Sequence, residues 1–190
     1  MVINFILRLF EILITIILLI VLSPIFFIVT FIIFFNNSPI LYWSKRVGKN
    51  SKIFLMPKFS TMKKNTPDVA THLLNKPNQY LNYYGNFLRK TSIDELPQLY
   101  SILVGNMTFI GPRPALYNQY DLIKQRYIRG INLIKPGITG WAQVNGRDEI
   151  SINEKINLDY YYLKNKSFYL NIKILLLTFS KALNQKNVKH

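Results

Sequence analysis

Apolar residues are concentrated near the start of the chain, where residues 12–35 contain no charged side chain. A helix of about 20 apolar residues spans a bilayer, so this run is long enough to cross a membrane. It is also longer than the apolar region of a cleaved signal peptide, and no small-residue cleavage site follows it. Hydropathy alone therefore leaves a plain transmembrane anchor open.

Ser23 and Pro24 interrupt the middle of this apolar run. Proline removes a helical hydrogen bond and clashes with the preceding turn, so we expect a break, with the Ser23 hydroxyl satisfying a freed backbone group. Basic residues, which favour the cytoplasmic side, flank the run at Arg8 and within residues 45–52. A hairpin that re-enters on one side places both groups in the cytoplasm. A straight span separates them, and the larger downstream group then keeps the rest of the chain cytoplasmic.

The pattern after residue 36 predicts a small, mostly helical α+β domain. A strand is predicted at 52–59, and prolines and glycines predict loops or rigid turns at 66–79, 111–114 and 135–141. Apolar residues at helical spacing predict helices at 80–90, 96–104, 117–129, 154–163 and 171–183. Gly105 suits the C-cap of the second helix. We therefore divide the chain into a membrane segment, 1–36, and a cytoplasmic domain, 37–190.

Two aromatic or apolar stretches near the C-terminus are compatible with either a core or a membrane interface. Ile172, Leu175, Leu176 and Phe179 form a stripe on the last predicted helix. Such a stripe is typical of a core-facing helix, but beside a membrane anchor it also suits an amphipathic helix in the interface. The run Tyr160-Tyr161-Tyr162 presents the same choice between headgroup depth and a buried core.

Composition narrows the chemistry and the partners. The chain has 24 Lys and Arg against nine Asp and Glu, a net charge of +15. Nucleic acid, an anionic membrane surface and phosphorylated substrates all qualify as partners for such a charge. The absence of cysteine excludes thiolate nucleophiles and cysteine-ligated zinc. The two histidines, His72 and His190, have no evident partner in the sequence, so histidine catalysis is not expected.

Asp94 and Glu95 are adjacent carboxylates in this strongly cationic chain. Such a pair suits a carboxylate nucleophile with a second acid beside it. An ordinary helix start explains the spacing equally well, with Ser92 as N-cap and Glu95 as its capping-box partner. That interpretation is compatible with catalysis, because a helix N-terminus favours anions and phosphates.

Two arginines lie in turns that suit phosphate binding. Arg113 stands between prolines in the turn 111–114, which lowers the entropy lost when its guanidinium is held still. A fixed guanidinium can bind a phosphate through two hydrogen bonds. Arg147 lies in the polar turn 145–149 and is a second candidate. A structural turn with an exposed arginine remains the alternative for the first, and a charge-pairing turn for the second.

Three segments, 89–99, 111–114 and 135–147, resemble the signatures of bacterial sugar transferases. The short chain resembles the small monotopic phosphoglycosyl transferases, and the resemblance extends over nearly its whole length, including the Ser23-Pro24 break. It implies a re-entrant (helix-break-helix) membrane hairpin followed by a catalytic domain with interfacial amphipathic helices. The implied location is the cytoplasmic face of the bacterial inner membrane.

The resemblance also implies a reaction. A phosphosugar would pass from a UDP-sugar to undecaprenyl phosphate, with release of UMP, and so initiate a lipid-linked glycan. Asp94 would be the nucleophile that forms a covalent phosphosugar intermediate, and Glu95 would assist the incoming lipid phosphate. Mg²⁺ near Asp94 would neutralise the diphosphate. Arg113 would bind a phosphate, with Arg89 and Arg147 as further candidates.

The implied partners are the UDP-sugar, undecaprenyl phosphate and membrane lipid, and not nucleic acid; a homodimer stays open. Two positions depart from the family pattern: Ser60 stands where an Arg or Lys is common, and Ile152 where an aromatic is common. The competing hypothesis is a non-catalytic, membrane-anchored basic scaffold. It explains the charge and the anchor, but it gives no reason for the adjacent carboxylates or the proline-flanked arginine.

Overall fold

The computed structural model describes residues 2–63, 66–67, 77–146 and 150–183. Helices dominate these residues: α1 (Val2–Val21), α2 (Ser23–Phe35), α3 (Gly85–Lys90), α4 (Leu99–Leu103), α5 (Tyr120–Ile128), α6 (Trp141–Asn145), α7 (Ile152–Asn165) and α8 (Phe168–Leu183). The strands are short: β1 (Leu41–Val47), β2 (Ile53–Phe59), β3 (Thr108–Ile110), β4 (Ala115–Leu116) and β5 (Gly137–Thr139). The predicted mostly helical α+β class is confirmed.

The chain folds as two compact units. Of the described residues, the first unit takes those within 1–44 and 56–103, and the second takes those within 45–55 and 104–185. The chain therefore passes between the units inside β1 and again inside β2. This arrangement differs from a division at residue 36, because Val29 and Ile33 of α2 are buried in the core of the first unit with Phe59, Tyr84 and Leu88.

The break in the N-terminal helix lies at Leu22, between α1 and α2, which are bent by 58°. Pro24 stands in the first turn of α2, where a missing N–H is tolerated. It cannot donate to Ile20 O, and the Ser23 hydroxyl donates to that carbonyl instead at 2.7 Å. The predicted break and the predicted role of Ser23 are both confirmed.

The two N-terminal helices present a large apolar surface. Among the described helices, none is by itself both long and apolar enough to cross a membrane, but α1 and α2 reach that length and hydropathy as a bent pair. Phe10, Ile20, Phe27 and Phe34 of this pair are all more than half exposed. Exposed apolar surface of this kind marks a contact with a membrane or another protein.

Arg8 attaches α1 to the C-terminal end of α4 within the first unit. Its Nη2 donates to the carbonyl oxygens of Ile102 and Leu103, at 2.6 and 2.9 Å, and its Nη1 lies 3.3 Å from Glu11 Oε2. The last carbonyls of a helix lack helical donors, and a cation there is favourable. Because α4 directly follows the segment of Asp94, this contact fixes the N-terminal helix to that segment.

The strands form two small sheets. The larger has the order β2-β1-β4, and β4 is antiparallel to β1 with Ala115 opposite Val47. The smaller is a parallel pair of β3 and β5 in which Ile110 lies opposite Thr139. Prediction of a loop at 135–141 is wrong at its centre, since β5 is a strand.

Glycines explain why β5 can lie so close to the turn 111–114. A Cβ atom on Gly137 or Gly140 would collide with the backbone of Gly111. Glycine is the residue type that lets two backbones approach in this way. The glycines that predicted a loop instead allow a strand to pack directly against the arginine-bearing turn.

Several predicted helices change at their ends. Helix 80–90 is shortened to α3, which begins at Gly85, and that glycine packs against the backbone of Thr61. Helix 96–104 is a 3-10 helix, Ile93–Gln98, that leads into α4, and Gly105 adopts the predicted left-handed conformation. The loop prediction at 66–79 falls mostly outside the described residues.

The apolar stripe on α8 faces away from the core. Its four residues are 40–72% exposed, whereas Leu170 and Ile174 on the other side of the helix are buried. The core-facing alternative is therefore wrong for the stripe, and the prediction of an interfacial helix remains. In the tyrosine run, Tyr162 is buried and Tyr161 is half exposed, so the run belongs partly to the core.

Candidate active site

Asp94 and Glu95 lie in the first turn of the 3-10 helix Ile93–Gln98. Asp94 is only 7% exposed. Ser92, just before the turn, has a φ of 57°, a left-handed conformation that is uncommon for residues other than glycine. The capping-box interpretation is wrong, because the Ser92 side chain makes no cap hydrogen bond; the Glu95 amide donates to the Ser92 carbonyl instead.

Lys58, at the end of β2, forms an ion pair with Glu95. Its Nζ lies 2.7 Å from Glu95 Oε1, and the two side chains are 16% and 13% exposed. An ion pair this far out of water holds its carboxylate in a defined position more firmly than a surface pair does. Lys58 was not among the predicted site residues.

Arg89, on α3, is half-buried beside the two carboxylates. Its Nε donates to Thr61 Oγ1 at 3.0 Å. Burial lowers the pKa of Arg89, while the negative charges of Asp94 and Glu95 oppose that shift. An arginine remains cationic in such a setting. The structure thus brings three predicted residues together in the first unit, as two carboxylates and one guanidinium.

The two departures from the family pattern lie in different surroundings. Ser60 is buried beside Thr61; its amide donates to Ile40 O at 3.0 Å and its hydroxyl lies 3.5 Å from Met62 O. A short side chain therefore fits this position without an exposed head group. Ile152 is 47% exposed at the start of α7.

Arg113 belongs to the second unit, in a turn whose backbone is held at every residue. Four hydrogen bonds do this: Gly111 N to Thr139 O at 2.8 Å, Gly137 N to Pro112 O at 3.0 Å, Arg126 Nη1 to Arg113 O at 2.8 Å, and Arg46 Nη1 to Pro114 O at 3.1 Å. Pro112 and Pro114 are buried, and Arg113 between them is half-buried. Arg147, the other predicted arginine of this unit, lies outside the described residues.

The family model for bacterial sugar transferases matches residues 2–185, which is nearly the whole chain. The chain belongs to the bacterial sugar transferase family. The expectation from the three sequence segments is therefore confirmed. The turn of Asp94 and Glu95 and the turn of Arg113 therefore belong to a chain of the transferase family. The role of each residue in these turns is a prediction.

The chain is similar to several named proteins, and it spans a different share of the length of each. An uncharacterized sugar transferase of Bacillus subtilis, EpsL, is 42% identical over 154 residues, which are 80% of this chain and 74% of EpsL. The undecaprenyl-phosphate galactose phosphotransferase of Salmonella typhimurium is 32% identical over 96% of this chain, but the chain spans 41% of that protein. The UDP-glucose:undecaprenyl-phosphate glucose-1-phosphate transferase of Escherichia coli is 36% identical over 80% of this chain and 34% of its own length.

The donor chemistry of the carboxylate turn fits Mg²⁺. Within the described residues, no three His, Asp or Glu side chains cluster as a metal site. Mg²⁺ in nucleotide-dependent enzymes typically keeps several waters and takes one or two carboxylates together with substrate phosphates. Asp94 and Glu95 are carboxylates of this kind, so a closed cage of protein ligands is not required.

Sequence reasoning missed Lys58, Arg126 and Asp159. Lys58 is separated from Glu95 by 37 residues, and no local pattern links them. Asp159 did leave a signal, since it follows Ile156 and precedes Tyr162 by three residues each. A lone carboxylate at helical spacing with apolar residues indicates a buried, paired acid, and all three side chains are buried on α7.

Proposed function

We propose that this protein transfers a phosphosugar from a UDP-sugar to undecaprenyl phosphate, with release of UMP. The observation that carries this proposal is the buried turn of Asp94 and Glu95, with Lys58 and Arg89 beside it, in a chain of this family. The names of the Salmonella and Escherichia relatives support the substrates. The product starts a lipid-linked glycan, such as a capsule, O-antigen, exopolysaccharide or glycoprotein glycan.

Two displacements at phosphorus make up the proposed reaction. An Asp94 carboxylate oxygen attacks the sugar-linked phosphorus, the bond from that phosphorus to the UMP oxygen breaks, and UMP leaves with the electron pair. An oxygen of undecaprenyl phosphate then attacks the same phosphorus, and the bond to Asp94 breaks to restore the carboxylate. Glu95, held by Lys58, accepts any proton that the lipid phosphate carries.

Cationic side chains stabilise the charge on the phosphates. Arg89 stands beside the carboxylates, and Arg113 is presented by a turn with a fixed backbone. Each guanidinium can donate two parallel hydrogen bonds to a phosphate. Arg147 is a third candidate on sequence grounds. Mg²⁺, held at Asp94, would supply charge neutralisation for the diphosphate when bound.

We further propose that the protein is monotopic on the cytoplasmic side of the inner membrane. The exposed apolar surface of the bent pair α1 and α2 supports a hairpin that enters and leaves by one face. The exposed stripe on α8 supports a helix that lies in the interface. Cytoplasmic placement follows from the basic residues on both sides of the hairpin.

The test is UMP release by purified protein in detergent from UDP-galactose, UDP-glucose and their N-acetylated counterparts. Each donor is assayed with and without undecaprenyl phosphate, and with Mg²⁺ or EDTA. The variant Asp94→Asn is compared with Asp121→Asn, which makes the same chemical change at an exposed position on α5. Intact-protein mass spectrometry without the lipid detects an adduct of the phosphosugar mass.

We expect continuous UMP release from one donor that depends on the lipid and on Mg²⁺, is lost in Asp94→Asn and persists in Asp121→Asn; without the lipid, release should stop at about one UMP per protein, as the adduct forms. We also expect the adduct in the wild type and not in Asp94→Asn. UMP release without an adduct and without sensitivity to Asp94→Asn would overturn the covalent mechanism. A protein that releases no UMP from the whole panel would favour the scaffold hypothesis.

A further inference from the structure

A buried ion pair joins α5 to α7 directly behind the turn of Arg113. Arg126 is 8% exposed and Asp159 is 1% exposed. The Nε and Nη2 atoms of Arg126 donate to Asp159 Oδ2 at 3.1 and 2.5 Å, and Nη1 donates to the carbonyl oxygen of Arg113 at 2.8 Å. All three guanidinium nitrogens of Arg126 are thus used by one carboxylate and one backbone carbonyl.

A buried ion pair is weak evidence of a gain in stability. Burial raises the pKa of Asp159, and the Arg126 charge opposes that shift. Taking two charges out of water costs enough free energy that apolar residues of similar volume often serve the fold as well or better. The third contact of the pair indicates a further use, because that contact is made to the residue predicted to bind phosphate.

We infer that Arg126 and Asp159 are positioning residues for Arg113. Asp159 Oδ2 accepts hydrogen bonds from two nitrogens of Arg126 and so fixes its guanidinium. Arg126 in turn fixes the backbone from which the Arg113 side chain extends. Together with Arg46 on the next carbonyl, this holds the turn so that the Arg113 guanidinium meets a donor phosphate in one orientation. The inference rests on the proposed function of Arg113. It adds that Asp159 on α7 acts on Arg113 through Arg126.

The same two helices offer a matched control. Arg129, the residue that follows the end of α5, donates to Asn157 Oδ1 of α7 at 2.6 Å in an exposed contact. This contact also leads from the end of α5 to α7, and Arg129 lies over the ring of Tyr160 on that helix. Replacing Arg129 by Met therefore removes a guanidinium between the same helices and leaves the Arg113 carbonyl bond in place.

The experiment is a double-mutant cycle on donor affinity. Arg126→Met/Asp159→Leu removes both charges together, so that no unpaired charge is buried. It is combined with Arg113→Met, all in an Asp94→Asn background that does not consume the donor. Isothermal titration with UDP-galactose and UDP-glucose measures Kd, thermal melting checks the fold, and Arg126→Lys tests partial rescue, since it keeps the charge but not the three-way geometry.

We expect Arg126→Met/Asp159→Leu to weaken donor binding about tenfold or more. In the presence of Arg113→Met, the same change should weaken binding by less than about twofold, because there is no longer a guanidinium to position. Arg129→Met should bind like the parent. In the catalytic background, the pair variant should raise KM more than it lowers kcat.

An equal loss of affinity with and without Arg113→Met, at an unchanged melting temperature, would overturn the inference. No loss from the pair variant, or no effect of Arg113→Met itself, would do the same. Failure of the proposed function is seen separately, as UMP release that is absent or insensitive to Asp94→Asn. Coupled losses of affinity in that case would still support positioning of Arg113 for a nucleotide-sugar phosphate.

Discussion

Lys58 fixes the second carboxylate of the candidate site, and its removal tests whether that carboxylate must be held. Lys58→Met leaves Glu95 largely buried without its cation at 2.7 Å. We expect UMP release to fall about tenfold or more, since a misplaced acid loses most of its contribution. Steady-state assays across donor concentration measure this loss.

Two variants control for charge and for folding. Lys90→Met removes the same charge from an exposed residue of α3 and should leave turnover unchanged. Lys58→Arg keeps a cation near Glu95 and should recover much of the activity. Full activity in Lys58→Met, at an unchanged melting temperature, would show that the Lys58–Glu95 pair has no part in turnover.

Individual site residues could be predicted where their chemistry is local in the sequence. Asp94 and Glu95 are adjacent, and Arg89 lies a few residues before them in the sequence. Lys58 could not be found in this way, because its contact with Glu95 depends on where β2 ends. The left-handed conformation of Ser92 could not be predicted for a related reason, since a positive φ at a serine depends on the surrounding packing.

Among the elements, the broken N-terminal helix gives the clearest prediction. In Pro24→Ala, residue 24 regains an N–H that can donate to Ile20 O, and the Ser23 hydroxyl is no longer needed there. We expect α1 and α2 to form a straighter helix that spans the membrane and moves the N-terminus to the outer side. The chain has no cysteine, so a single Asn4→Cys reports topology without background.

A membrane-impermeant maleimide applied to intact spheroplasts makes the measurement. We expect labelling of Asn4→Cys after permeabilisation alone in the parent, and labelling of intact cells when Pro24→Ala is added. Pro39→Ala, which removes an exposed proline beyond α2, should behave like the parent. Labelling of the parent in intact cells would contradict the hairpin, and protection of the Pro24→Ala variant would mean that the break does not depend on the proline.

The local sequence pattern predicted most of the helices, but it did not predict which strands pair with each other. The helix break next to Pro24 and the C-terminal helices could be predicted, because proline chemistry and helical spacing act over a few residues. Gly137 and Gly140 are typical of turns, and for that reason the local pattern predicts a loop where β5 lies. Their real use is the close approach to Gly111, a contact between segments that are distant in sequence, which local propensity does not report.

For the molecule as a whole, hydropathy suggested an anchor and a domain, but the compact units have different limits. α2 supplies buried residues to the first unit, and both β1 and β2 carry the chain from one unit to the other. A boundary drawn where composition changes cannot show how these segments divide between the units. Hydropathy reports whether a segment suits water or lipid, and it does not report which segments pack together. In α8 the two faces differ in the same way: Leu170 and Ile174 are buried in the protein, and the stripe of apolar residues on the other face is exposed.

The exposed face of α8 predicts a membrane contact separate from the hairpin. Trp43→Phe leaves Trp141 as the one tryptophan, and Trp141 lies beside α8, with Lys173 of that helix 5.5 Å from its ring. Leu176→Ser/Phe179→Ser removes two large apolar side chains, worth roughly 3 kcal/mol of partitioning free energy together. In nanodiscs with brominated lipid we expect quenching of Trp141 in the parent and weaker quenching in this variant.

Tyr127→Ser, a change at a similarly exposed residue of α5, should leave quenching unaltered. Equal quenching in all three proteins would mean that the stripe lies away from lipid and that the hairpin is the membrane contact of this chain.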